Sequence, residues 1–152
     1  MKTPVIVSLA LAASFVSLSA SAEFAKSEDA IKYRQSALTV MGTHFARLGA
    51  MANGKLPYDA AQAARDAEVV ALVSHLPWAG FAPGTDKGRE SAARPEIWQE
   101  QAKFKDRADK MQTTVAERLL PAARSGNLDQ LKAAFGPTAQ SCKACHDDFR
   151  RR

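Results

Sequence analysis

Apolar positions along this chain recur every three or four residues and nowhere alternate over the length of a strand, so helices are the expected elements and sheet is not. After Ser27, which with Asp29 can cap a helix start, Ile31, Leu38, Met41, Phe45 and Leu48 share one face and predict a helix to about Ala52. Asn53-Gly54-Lys55-Leu56-Pro57 breaks it. Asp59 can then cap a second, Ala-rich helix with Val69, Leu72, Val73 and Leu76 as its apolar edge, ended by Pro77. Pro95 and Glu96 suit the start of a third, which carries Ile97, Phe104, Ala108, Met111, Val115 and Leu119. Pro121 is placed to kink it before Ser125-Gly126-Asn127. The fourth starts near Leu128, meets Gly136-Pro137, where a kink or break is expected, and resumes through Phe149.

Four amphipathic helices with short outer links and one long middle loop predict an all-α fold, an antiparallel four-helix bundle whose cofactor sites lie between facing helices. The loop, Pro77 to Pro95, crowds six Gly and Pro residues together with Trp78 and Phe81, and a loop of that length is usually functional or disordered. Its two aromatics argue that its start packs, while Asp86 to Glu90 is expected at the surface. Arg34 sits on the buried stripe of the first helix. A buried charge is costly unless paired, so Arg34 implies an anion near the start of that helix, unless its head snorkels to water at the helix end.

The first 22 residues have the form of a secretion signal: Lys2, an apolar run from Val5 to Leu18, and Ala20-Ser21-Ala22 as the cleavage site, leaving residues 23–152 as one domain. The expectation is a periplasmic product, with no other apolar run long enough to insert in a membrane. Lys2 is the only charge in the leader, so the formal excess falls from +5 to +4. Apart from Arg150-Arg151-Arg152 the basic residues are scattered and form no aromatic-interleaved stripe, which excludes a nucleic-acid partner as the expectation.

The candidate chemistry is Cys142-Lys143-Ala144-Cys145-His146. C-x-x-C-H is the pattern for covalent attachment of a c-type haem. On a helix, residues three and four apart share a face, so Cys142 and Cys145 can reach the two vinyl groups and His146 can turn an imidazole nitrogen onto the iron. A structural zinc site needs four N or S ligands, and only His44 and His75 remain, neither in paired-ligand spacing. A thiol-disulfide oxidoreductase using the same two cysteines expects a βαβ context, which a helical chain lacks.

With these elements in place, the mature chain resembles the cytochrome c′ family, the class II c-type cytochromes, through Cys142 to Arg150, Tyr33-Arg34-Gln35-Ser36-Ala37-Leu38, Leu76-Pro77-Trp78 and Arg94-Pro95-Glu96-Ile97-Trp98. The resemblance implies one haem c per chain, held through thioethers by Cys142 and Cys145 with His146 as the proximal iron ligand. It implies Arg34 and Gln35 at the propionates, Glu90 at the haem edge, Leu38 over the distal iron face and Arg150 beside the proximal side. It further implies a homodimer formed through the first two helices.

An aliphatic Leu38 cannot coordinate iron, so a five-coordinate iron with an apolar open side is expected, and distal access and polarity decide between ligand binding and electron transfer. The expected activity is binding of nitric oxide or carbon monoxide, transfer of single electrons to an unidentified redox partner, or both, with no catalysis. The alternative is a six-coordinate electron carrier in which Met41, one turn past Leu38, supplies a thioether. A methionine on a helical stripe is more often core. His44 and His75 read as surface or edge residues.

Overall fold

The computed structural model describes residues 23–88 and 90–151; the expected signal segment lies outside them. Helix α1 is Ser27–Ala52, α2 is Ala60–Val73 and a 3-10 turn follows at Pro77–Phe81. A short α3, Glu96–Gln99, leads into α4, Gln101–Thr114, a π turn, Val115–Leu119, and α5, Leu120–Arg124. Helix α6 is Leu128–Phe149. The residues from 101 to 124 form the third arm of a four-arm bundle: α1 packs on α2, α2 on α5, α4 and α5 on α6, and α6 returns to α1. Short links join α1 to α2 and α5 to α6, which makes those neighbours antiparallel.

The expected cap at Asp59 forms, its side chain accepting from Gln62 N at 3.0 Å. Asn127 caps α6 through Asp129 N and Gln130 N. Ser27 does not cap α1; Lys26 holds that position with no side-chain bond, and Glu28 and Asp29 instead lie in the first turn, where negative charge favours the helix dipole.

The three prolines from Pro95 onward act differently from one another. Glu100, at φ −114° and ψ 47°, ends the one-turn helix that Pro95 starts, so the third arm opens with a break rather than a straight run. Before Pro121 the arm widens to a π turn, in which Leu120 N–H donates to Val115 O, five residues back. That widening absorbs the missing N–H of Pro121 without breaking the arm. Pro137 sits inside α6 and does not break it. Ala133, Gly136 and Pro137 all face water, so the carbonyl that Pro137 cannot bond is free to be hydrated, while Ala134 and Thr138 stay buried.

The end of the bundle away from Pro77–Phe81 is filled by Leu48, Met51, Ala63, Ala67, Leu119, Ala123 and Leu131. Leu48, Leu119 and Leu131 are fully buried, each worth about 1.5–3 kcal/mol of transfer free energy. Asp66 is also fully buried and ties α2 to α1: its Oδ1 lies 2.7 Å from His44 Nδ1 and accepts from Arg47 Nη1 at 2.9 Å and Gln62 Nε2 at 3.0 Å. His44 is therefore a half-buried packing partner at the edge between two helices, whereas His75 is exposed.

Candidate functional site

The other end of the bundle stays open. A cavity of about 710 Å³ lies between α1, α6, the third arm and the segment after α2. That is a cofactor-sized volume. Helix α6 brings Cys142, Cys145 and His146 to it, as their three-and-four spacing requires. Helix α1 supplies Arg34, Gln35, Leu38, Met41 and Phe45, and Val70, Phe104, Met111 and Val115 complete much of the apolar lining. Arg150 lies at the rim. Seven of the eight residues singled out in the sequence thus meet at one cavity.

Glu90 is the exception. It borders a shallower neighbouring hollow, and what it offers toward α1 is its backbone carbonyl, which accepts from Gln35 Nε2 at 2.8 Å.

Cys142 and Cys145 are both free and partly buried. Burial pushes the Cys145 thiol up to about 11, helped by neighbouring Cys142 and opposed by Arg107, and burial raises Cys142 as well. A dithiol oxidoreductase needs the opposite, a thiolate stabilised near neutral pH. His146 is held below its ordinary value, first by burial and then by Arg150, which favours the neutral imidazole that ligates metal. Among the described residues no cluster of three or more His, Cys, Asp or Glu could hold a metal ion, so the zinc alternative finds no closing ligands. Two thiols and a neutral imidazole on one helix face, opening on an apolar cavity of this size, fit a c-type haem.

Arg34 is 2% exposed, so it does not snorkel. Its Nη1 donates to Gly80 O at 2.6 Å and Thr85 Oγ1 at 2.9 Å, and its Nη2 to Thr85 O at 3.0 Å and Ser91 Oγ at 3.2 Å. The guanidinium also lies 4.5 Å from the Phe81 ring centroid and 5.5 Å from that of Trp98. All four Nη protons are thus spent on neutral oxygens of the segment after α2, which leaves Nε–H for any anion. Burial lowers its pKa.

The segment from Pro77 to Arg94 is therefore a strap, not a free loop. Gly80 touches α1 so closely that a Cβ there would lie 2.6 Å from Ala30 O. Trp98 Nε1 reaches back to Phe81 O at 3.1 Å. At its far end Arg94 N bonds Phe149 O at 3.0 Å and Arg151 N bonds Ala92 O at 2.8 Å, joining the strap to the end of α6. Trp78 and Phe81 line the cavity, and Phe81, Phe104 and Phe149 meet edge to face, with centroids 4.9 and 5.2 Å apart. Asp86 to Gly88 and Glu90 are exposed, as their charge predicts.

Sequence reasoning missed Arg107. It lines the cavity and donates from Nε to Asp148 Oδ2 at 3.1 Å. The signal was present, since position 107 falls between Phe104 and Met111 on the inward stripe.

A family model described as cytochrome C′ matches residues 29–150. The cytochrome c′ of Alcaligenes xylosoxydans xylosoxydans is 51% identical over 130 residues, covering 86% of this chain and 99% of that protein. That of Rubrivivax gelatinosus is 46% identical over 130 residues, covering 86% and 100%. Its crystal structure superposes with a TM-score of 0.81 at 46% identity, covering 85% of this chain and all of that one. A nitric oxide complex of a leucine-to-alanine mutant of the Alcaligenes xylosoxidans protein gives a TM-score of 0.77 at 50% identity, covering 86% and 99%. The C-x-x-C-H face on α6, the bundle around it and these matches over nearly the whole described length agree: this chain belongs to the cytochrome c′ family, whose prosthetic group is a c-type haem.

Proposed function

We propose that this chain is an exported, periplasmic haem protein that binds nitric oxide or carbon monoxide at an open iron and passes single electrons, without catalysing a reaction. In this reading Cys142 and Cys145 hold the haem through thioethers and His146 is the proximal ligand. Bound haem would supply a redox-active iron able to take up a small gas ligand. The single observation that carries the reading is the wall facing α6: Leu38, Met41, Phe45 and Val70 present hydrocarbon and one thioether there. Leu38 cannot coordinate a metal, and an apolar wall gives a polar bound ligand such as dioxygen little stabilisation, while carbon monoxide and nitric oxide need less. The nitric oxide complexes of leucine-to-alanine and leucine-to-isoleucine mutants of the Alcaligenes relative support nitric oxide as a ligand.

Arg34 and Gln35 stand at the propionate side. With both Nη groups of Arg34 committed to the strap, its contact with a propionate would be through Nε, with Gln35 beside it, while Arg150 stands on the proximal side. Met41 packs against the core cluster, which favours a structural role over ligation.

Optical spectra of the holoprotein test this. The expected ferric form is high-spin, and the ferrous form changes on adding carbon monoxide. A low-spin ferric spectrum with a sulfur-to-iron charge-transfer band, lost on replacing Met41, would establish the six-coordinate alternative instead.

A homodimer through α1 and α2 belongs to the same proposal. The large hydrophobics that stay exposed among the described residues are Val40, Leu56, Leu72 and Leu76, all on α1, α2 or the segments that follow them, and Leu72 is 72% exposed. Sedimentation equilibrium of the wild type and Leu72→Asp checks it, with a monomeric wild type as the refuting result.

A further inference from the structure

Four glycines stand in or against the bundle wall, and two of them have a packing reason. A Cβ at Gly49 would lie 2.6 Å from Phe135 Cζ, and one at Gly80 would lie 2.7 Å from Arg34 Cβ. Gly136, on α6, has none but does not line the cavity; Gly42, in the middle of α1, has none either: outside its own helix backbone and chain neighbours no heavy atom lies within 4 Å of where its Cβ would stand, and its φ is not positive. Glycine inside a helix is unfavourable relative to alanine, so the fold itself does not account for it.

Its position does. Gly42 lines the cavity and is exposed, as is Thr39, while His146 on α6 and Arg150, which caps its end, are exposed lining residues too. These four positions mark a mouth between α1 and α6. Gly42 is one turn beyond Leu38 and three residues before Phe45, so it lies on the side of the mouth that leads to the apolar wall.

We propose that Gly42 sets the width of the entrance through which a diatomic ligand reaches the Leu38 side of the cavity. The inference rests on the gas-binding reading above. A methyl group at this position meets no protein atom outside its own helix, and an isobutyl group reaches further across the mouth, so the substitution acts on the approach of the ligand.

The test compares the wild-type holoprotein with Gly42→Ala and Gly42→Leu. Carbon monoxide association with the ferrous protein is followed by stopped flow, alongside the unliganded spectra, the yield of covalently attached haem and thermal midpoints. The expected result is an association rate about tenfold lower for Gly42→Leu, which corresponds to about 1.4 kcal/mol of added barrier, with Gly42→Ala between. Unliganded spectra and haem yield stay as in the wild type, and Gly42→Ala melts no lower. An unchanged rate in Gly42→Leu overturns the inference. So does a fall in haem yield or a shifted unliganded spectrum, which would make Gly42 a seat for the macrocycle and not an entrance. A wild type that binds no carbon monoxide at all refutes the gas-binding reading, a failure separate from either of these.

Discussion

Arg34→Met removes the pin of the strap while keeping most of the buried stem. Four donors are lost, but their acceptors do not suffer equally. Thr85 Oγ1 keeps its own bond to Ala82 O at 2.7 Å, and part-buried Ser91 Oγ keeps the bond from Ala93 N at 3.2 Å. Gly80 O and Thr85 O are left behind in buried positions, at a cost of about 1–3 kcal/mol each. Loss of the cation over Phe81 and Trp98 adds about 0.5–2 kcal/mol. Against these stands relief from burying a charge with no carboxylate of the protein beside it, which offsets several kcal/mol. The balance is a loss of about 2–4 kcal/mol, or about 6–12 °C in midpoint for a domain of this size. Thermal unfolding of the mature holoprotein, followed by far-UV circular dichroism, measures it, and limited proteolysis shows the strap opening between residues 82 and 90. Arg34→Lys keeps the charge but not the planar fork that spans four oxygens, so it restores only a minor part. A midpoint for Arg34→Met within about 2 °C of wild type, with no new cleavage, would refute the reasoning, since the loss expected from the structure is several times that shift.

Two further outcomes follow from other parts of the molecule. Leu131 is fully buried in the closed end, away from the cavity lining, so Leu131→Ala lowers stability by about 2–5 kcal/mol in denaturant titrations; an altered haem spectrum in that variant would show that the two ends are not independent. Glu96 is held below its ordinary carboxyl value chiefly by the bond from Arg94 Nη2 at 2.6 Å. Its folded pKa is depressed, so its contribution is present above the unfolded value and fades as pH falls through the folded one. Glu96→Gln should therefore flatten the acid side of the midpoint-against-pH curve and leave its slope near neutrality unchanged, and an equally steep acid limb in the variant would count against the Arg94 pairing.

The local grammar of the chain carried a good deal. The three-and-four stripes marked the helices, Asp59 marked one start correctly, and C-x-x-C-H on a helix put two thiols and an imidazole on one face wherever that helix packed. These are short-range properties, decided by the geometry of a single turn. Ser27, Pro137 and the continuous run of the third helix from Pro95 were misjudged because propensity does not record how each helix meets water and its neighbours: Pro137 is tolerated where its orphaned carbonyl is hydrated, the third arm breaks at Glu100, and the strain at Pro121 is taken up by the π turn before it. What the tertiary structure alone decided lies further apart in the chain. Arg34 on a buried stripe announced an unmet charge, but its partners stand 46 to 57 residues away and are carbonyls and hydroxyls, not a carboxylate. Between Pro77 and Pro95 only Trp78 and Phe81 announced packing, because the order of the rest comes from Arg34 at one end and the terminus of α6 at the other. A contact between distant residues is set by how four helices close on one another, and no periodicity within any one of them contains that information.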